Sequence, residues 1–285
     1  MKKETGSSLV EMPLQLPLVS VIVPCRESEE TISKCLDSVR SQDYGNIEII
    51  VVDNFSKDAT RRIAEEFGAR VYEFGPERCA QVNFGAKNAL GQYIYRVDSD
   101  FVLSGGVIRK AVEACESGGY DSVIIHNTSD PSVSFWSRIR KLERDTYIGD
   151  ELVPVARFFR RRAFMTLGGY DESLIAGEDY DITNRLREAG FKLGRIDAED
   201  MHIGEPKSMR EIIQKHYVYG KSIGRFIEKD RYMAVKQLNP LRASYLKVLP
   251  SLLPSPRVFF GFVAYETVRY MAAGLGMLSR RLGMA

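Results

Sequence analysis

Gly91-Gln-Tyr-Ile-Tyr-Arg-Val-Asp-Ser-Asp-Phe101 is the stretch whose reading decides the fold. Tyr93 to Val97 reads as a buried strand, and it runs straight into two carboxylates, Asp98 and Asp100, one residue apart. Residues i and i+2 of an extended chain point to the same side. Two carboxylates placed so, just past a strand end, repel each other unless something positive sits between them. A divalent cation is the simplest candidate: hard oxygen ligands suit Mg2+ or Mn2+, ions that usually bind substrate phosphates as well. The stretch therefore reads as a metal and diphosphate site, against the alternative of two solvated turn residues.

Outward from it the chain alternates. Val19 to Val23 is a β-branched run ended by Pro24, and a helical pattern over 28–42 follows with Ile32, Leu36 and Val39 on one face. A strand over 47–52 stops at Asp53-Asn54. Then come a helix over 58–67, a strand over 69–74, a helix over 78–90, the central strand, a helix over 107–117 and a strand over 121–125. Apolar strands alternating with amphipathic helices predict an α/β fold, its parallel strands covered on both faces and joined by right-handed crossovers. Ligands of such sheets bind beyond the carboxyl ends of the strands. Asp53 and Asp98 both stand there, so they can face one crevice.

The first strand also excludes two classes. A dinucleotide-binding domain would continue with Gly-x-Gly-x-x-Gly, whereas this turn, Pro24-Cys-Arg-Glu-Ser-Glu-Glu30, has no glycine. No Gly-x-x-x-x-Gly-Lys loop occurs, which excludes a P-loop ATPase. The 285 residues suit one large α/β domain with an appendage. The net charge of +2 argues against a dedicated nucleic-acid binder, but it is uneven: 207–247 carries ten Lys/Arg and three Asp/Glu, a local +7. Cys25, Cys35, Cys79 and Cys115 share no metal-ligand spacing and read as reduced, structural residues of a cytoplasmic protein. The polar start, Met-Lys-Lys-Glu-Thr-Gly-Ser-Ser, has no signal-peptide core and predicts a chain that is not exported.

Five stretches in order resemble the family 2 glycosyltransferases of the GT-A fold. They are Val19-Ser-Val-Ile-Val-Pro-Cys-Arg-Glu27, Glu48-Ile-Ile-Val-Val-Asp-Asn-Phe-Ser-Lys-Asp58, Tyr93-Ile-Tyr-Arg-Val-Asp-Ser-Asp100, Phe164-Met-Thr-Leu-Gly-Gly-Tyr-Asp-Glu172 and Gly177-Glu-Asp-Tyr-Asp-Ile-Thr-Asn-Arg-Leu186. The resemblance covers roughly 18–203. It implies a Rossmann-like, mostly parallel sheet and an inverting transferase that moves a hexose from a GDP- or UDP-sugar to an acceptor hydroxyl or lipid phosphate.

The resemblance also implies roles. Pro24, Arg26, Glu27 and Asp53 fall on the nucleotide side, with Asp53 accepting from the base; the residue-level alternative for Asp53 is an Asx turn with Ser56. Asp98, with Ser99 beside it, meets the ribose or metal, and Asp100 ligates Mn2+ or Mg2+ at the diphosphate. His202, in Met201-His-Ile-Gly204, is a further candidate for the metal. Glu178-Asp179 supplies the base, expected to be Asp179, while Asp181 pairs with Arg185 four residues on. A first-turn carboxylate favoured by the helix dipole is the competing reading for Asp179. Gly168, Gly169 and Tyr170 fall on the acceptor and sugar side. The family's donor-side Ala-Arg-Asn-x-Gly is altered: Asn83 and Gly85 fit, which puts Asn83 among the nucleotide and donor residues, Val82 stands at the arginine position, and Arg78, about one turn earlier, is left to approach the diphosphate. Arg160 to Arg162 read either as contacts to an anionic acceptor or as solvated charges.

Beyond about Ser208 the resemblance stops. A basic helix over 209–232 precedes a proline-rich break and an apolar helix over 258–278, long enough to span a bilayer but for Glu266 and Arg269. These features predict a leader over 1–17, a catalytic domain over 18–206 (nucleotide half 18–105, acceptor half 106–206) and a helical region over 207–285. That region would lie on the inner face of the cell membrane, near a lipid-linked or polyisoprenyl-phosphate acceptor, or form a homodimer. The rival readings are a non-catalytic nucleotide-sugar-binding subunit and a nucleotidyltransferase; the second sits poorly with Glu27, Glu29 and Glu30 after the first strand.

Overall fold

The computed structural model describes residues 16–240 and 242–283; the expected leader lies outside them but for its last two residues. The elements run β1 (Val19–Cys25), α1 (Ile32–Arg40), β2 (Ile47–Asp53), α2 (Thr60–Glu66), β3 (Arg70–Glu73), α3 (Arg78–Asn88), β4 (Tyr93–Arg96), β5 (Phe101–Leu103) and α4 (Val107–Gly118). There follow β6 (Ser122–Ser129), α5 (Phe135–Asp145), β7 (Ala156–Arg160), α6 (Arg161–Thr166), α7 (Glu178–Glu188) and β8 (Leu193–His202). The carboxyl third is helical: α8 (Met209–Lys229), α9 (Arg231–Gln237), a 3-10 turn (Ala243–Val248), α10 (Leu249–Leu252) and α11 (Pro256–Arg281).

One sheet of eight strands carries the chain in the order β3-β2-β1-β4-β7-β6-β8-β5. The pairs β1–β2, β1–β4 and β2–β3 are parallel, as the alternating pattern predicts. Every residue of β1 and β4 is buried, so their side chains feed two cores, one on each face. Val19, Val21 and Val23 pack with Leu36, Ile108 and Cys115 on one side. Ile22, Ile50 and Val52 pack with Val82, Phe159 and Ile182 on the other. All four cysteines are buried free thiols.

Two features depart from the simple parallel reading. β7 enters between β4 and β6 antiparallel to both, and β5 pairs antiparallel with β8. β8 escapes a hydrophobic-run reading because it alternates exposed and half-buried positions from Arg195 to Glu199, and its next residue, the buried Asp200, is an acid.

The carboxyl helices wrap α5. Ile139 meets Ile212, Leu252, Phe262 and Tyr265 in a separate small core. α8 and α11 touch backbone to backbone, since a Cβ at Gly220 would collide with the Ala273 carbonyl and one at Gly276 with the Tyr217 carbonyl. No helix among the described residues is long and apolar enough to cross a membrane. The two charges that interrupt α11 turn inward: Arg269 lies 3.2 Å from Glu266 and donates to the fully buried Glu143 at 2.8 Å.

Candidate active site

The carboxyl end of β4 delivers Asp98, Ser99 and Asp100 into a cleft of about 460 Å³, lined also by Pro24, Arg26, Glu27 and Ser28 of the loop after β1. That loop is fixed by its neighbour: Glu27 N donates to Ser56 Oγ, and Lys57 N donates to Glu27 Oε1. Ser99 Oγ lies 2.9 Å from Ser28 Oγ, closing the cleft floor. Asp53, fully buried, makes the Asx turn, accepting from Ser56 N at 2.9 Å. It is absent from the cleft lining, which Gln81 reaches from α3.

A second cavity, about 840 Å³, lies on the other side of Asp98 and is closed by α8, α9 and α11. Arg78, Asp98, His202, Lys215 and Tyr219 line both. Between them sits a buried charge cluster. Arg96, 1% exposed at the end of β4, donates to Asp98 at 3.1 Å and to Asp179, and reaches Glu178 at 3.5 Å. Arg157 of β7 lies 3.3 Å from Asp98 and 3.5 Å from Asp179. Arg78 donates to Glu178 and lies 3.5 Å from Asp98. Burial works to raise the Asp98 pKa, but the charges of Arg96, Arg78 and Arg157 outweigh it and hold the carboxyl well below the usual range.

Glu178 and Asp179 open α7, whose N-cap is Gly177 in the left-handed region at φ 83°. First-turn placement and a cavity-facing position therefore coexist. Asp181 takes its expected partner, accepting from Arg185 Nε at 2.8 Å. Asn83 faces away from both cavities and clamps the Gly-Gly loop: Nδ2 donates to the Tyr170 carbonyl and Oδ1 accepts from Tyr170 N, each at 2.9 Å. Gly169, at φ 77°, leaves room for that clamp, as a Cβ there would strike Asn83 Oδ1. Gly168, Gly169 and Tyr170 thus stand behind the charge cluster, the Tyr170 ring 5.1 Å from the Arg96 guanidinium. Arg160 donates to the carbonyls of Tyr120 and Cys115, and Arg162 pairs with Asp121, so neither enters a cavity.

The residues fit a divalent cation in part. Asp98 is taken up by guanidiniums, and no group of three His, Cys, Asp or Glu among the described residues could hold a metal alone. Asp100 Oδ2 and His202 Nε2, 3.0 Å apart in the lining of the smaller cleft, suit an ion that takes its other ligands from phosphate oxygens and water. Burial pushes Asp100 upward, yet the hydrogen bond and charge of His202 prevail and its pKa is lowered. Behind His202, Nδ1 lies 3.1 Å from Glu205, which accepts from Ser129 Oγ and pairs with Arg144 at 3.0 Å. Sequence reading missed Arg96, Arg157, Lys215 and Glu205. Only Arg96 carried a signal, as a cation inside an otherwise apolar strand.

The glycosyl transferase family 2 model matches residues 20–168. The chain belongs to that family. It is 26% identical over 262 residues to the glycosyltransferase AglE of Haloferax volcanii, covering 86% of this chain and 84% of that one. Among solved structures, a Pyrobaculum calidifontis mannosyltransferase in complex with GDP-Man and Mn2+ superposes with a TM-score of 0.66 at 18% identity, over 96% of this chain and 89% of the other. Glucosyl-3-phosphoglycerate synthase of Mycobacterium tuberculosis, with Mn2+ and UDP, gives 0.54 at 16% identity, over 74% and 79%. This glycosyltransferase therefore has the GT-A fold, with its curled mixed sheet and flanking helices.

Proposed function

We propose that the chain is a metal-dependent inverting transferase that moves a hexose from a GDP- or UDP-sugar to an acceptor hydroxyl or lipid phosphate. The observation that carries this reading is the meeting of two cavities at one charge cluster: a smaller cleft lined by Asp100 and His202, and a larger one holding Glu178 and Asp179. The donor's nucleotide would lie against Pro24, Arg26 and Glu27, its diphosphate toward Asp100, His202 and Arg78. The acceptor would enter the larger cavity. Its oxygen attacks the anomeric carbon opposite the leaving group, Asp179 takes the acceptor's proton, and the bond to the diphosphate breaks with its electron pair staying on the nucleotide. Arg78, Arg96 and Arg157 fix the carboxylates in place, a preorganisation that removes the cost of orienting them during transfer. A divalent cation held by Asp100 and His202 would neutralise charge growing on the leaving diphosphate.

Within this reading, 18–206 is the catalytic unit and 207–285 a helical appendage that closes the acceptor cavity. The appendage also rests on a membrane surface, on the cytoplasmic face. Phe260, Val263, Met271, Leu275, Leu278 and Leu282 of α11 and its C-cap are exposed at helical spacing and make one face mostly apolar, interrupted by the exposed Thr267. Arg257, Arg280 and Arg281 flank that stripe. A second copy packed on it would bring like charges together, whereas an anionic leaflet complements them.

The deciding measurement is thermal stability with GDP, UDP and their hexose sugars, each with Mn2+ and with EDTA. Stabilisation by one nucleotide series only with metal supports the reading; no shift with any nucleotide sinks it.

A further inference from the structure

The wall of the larger cavity built by α5, α8 and α11, with Arg242 from the segment that leads into the 3-10 turn, carries charges that the proposed transfer does not use. Arg140 and Arg269 are held by Glu143, and Arg269 also by Glu266. Arg144, 8% exposed, pairs with Glu205 and donates to the Thr128 carbonyl, but its buried Nε has no hydrogen-bond partner. Arg242 donates to the carbonyls of Asn239 and Gln237 and has no ion pair with a carboxylate among the described residues; its Nη1 is buried and unpartnered. Lys215, on the same wall, likewise has no ion pair among the described residues.

Cations here outnumber carboxylates, and the surplus is felt by neighbouring groups. His216 is pushed down to about 3 by burial and then by Arg140, Arg269 and Lys215. Arg144 is lowered to about 10 by burial and then by Arg140. Uncompensated positive charge in a desolvated cavity is costly, and a ligand anion removes the cost. Elsewhere the lining is apolar: Ile223 and Ile227 farther along α8, Val235 of α9, Leu238, and Met277 of α11. Val235 is 65% exposed, so this wall reaches the surface.

We propose that this chamber binds a phosphate or diphosphate ester carried on an apolar chain, the anion on Arg144, Lys215 and Arg242 and the chain running out between α8, α9 and α11. The proposal rests on the larger cavity being the acceptor side, and it makes the acceptor an anionic lipid. The shared chemistry is a phosphorylated hydrocarbon; a monoester and a diphosphate are its two sources.

Calorimetric titration of the full chain with decyl phosphate, farnesyl diphosphate, decanol and inorganic phosphate tests it. At least one of the two amphiphilic anions binds tenfold tighter or more than both decanol and phosphate, and the better of them names the source. The double variant Lys215→Ala/Arg242→Ala weakens that binding at least tenfold, and Val235→Glu weakens it without touching the cations. Affinity no better than that of decanol, or unchanged in the double variant, overturns the anion site. GDP and UDP titrated with Mn2+ in the same samples separate the two readings. Nucleotide binding retained while both amphiphiles fail removes this inference alone; cation-dependent amphiphile binding without any nucleotide binding removes the donor reading and leaves the chamber.

Discussion

Asp100 Oδ2 stands 3.0 Å from His202 Nε2, joining the turn after β4 to the last residue of β8. A carboxylate and an imidazole so placed act together on whatever cation enters. On the proposed reading, a nucleotide at a hundred times its dissociation constant adds about 2.7 kcal/mol of stability. Asp100→Ala removes the Mn2+-dependent part of that gain and leaves the EDTA value of the wild type. Glu205→Gln, which removes the charge behind His202 Nδ1 together with its pairing to Arg144, weakens Mn2+ binding about 10- to 100-fold, read by electron paramagnetic resonance in a metal titration. Unchanged metal affinity in both variants would exclude this pair as the site.

Asp179 differs from Glu178 in what it faces. Its two oxygens meet Arg96 and Arg157, both from the sheet, whereas Glu178 is tied to Arg78 and Arg96. Asp179→Asn preserves shape and lowers turnover about 10²- to 10⁴-fold, the usual contribution of a positioned base. Nucleotide affinity stays within about twofold. Sugar-transfer rate and nucleotide dissociation constant, measured on one preparation, check this; full activity in the variant excludes Asp179 as base.

How much of this was legible follows from where each signal lies. The parallel half was open to reading because β1, β2 and β4 are apolar runs ending at polar residues, and α1 buries the expected Ile32, Leu36 and Val39. β8 was not, since an alternating strand rich in acids resembles a loop. Asp98 and Asp100 were found by spacing, but their partners were not. The repulsion expected to call for a cation between them is relieved at Asp98 by Arg96, Arg78 and Arg157, which come from three different elements. Arg78 and Arg157 reach Asp98 from far along the chain and leave no mark on the local sequence, whereas Arg96 stands two residues before it. Asn83 shows the same limit: its family position suggested the nucleotide, and its side chain holds the Gly-Gly loop.

The exposed stripe of α11 gives a third prediction. Burying a leucine-sized side chain in an apolar phase is worth about 1.5–3 kcal/mol. Leu275→Glu and Leu278→Glu together therefore reduce co-sedimentation with vesicles containing anionic lipid at least tenfold, while melting temperature changes by no more than a few degrees, because both side chains are exposed. Wild-type chain that ignores vesicles, and whose mass in solution is that of a dimer dissociated by the same substitutions, would assign the stripe to a second copy instead.

His216 makes stability depend on pH in a window it shares with Asp200, whose carboxyl burial raises to about 7 and whose contribution has the opposite sign, present at low pH and lost as pH rises. Burial first, then the charges of Arg140, Arg269 and Lys215, lower its folded pKa from 6.5 to about 3. The unfolded chain thus binds a proton that the folded chain refuses between those values. Stability from this group is fully present above pH about 6.5 and is lost as pH falls toward 3. Each pH unit within the window is worth at most about 1.4 kcal/mol. Depressed carboxyls such as Asp98 and Glu143 begin to cost stability only below their ordinary values near 4. Between pH 6.5 and 5, then, the wild-type melting temperature falls relative to that of His216→Gln, the Asp200 contribution being common to both proteins. Parallel curves for the two proteins would show that the imidazole charges freely and that the surplus cations around it are already neutralised.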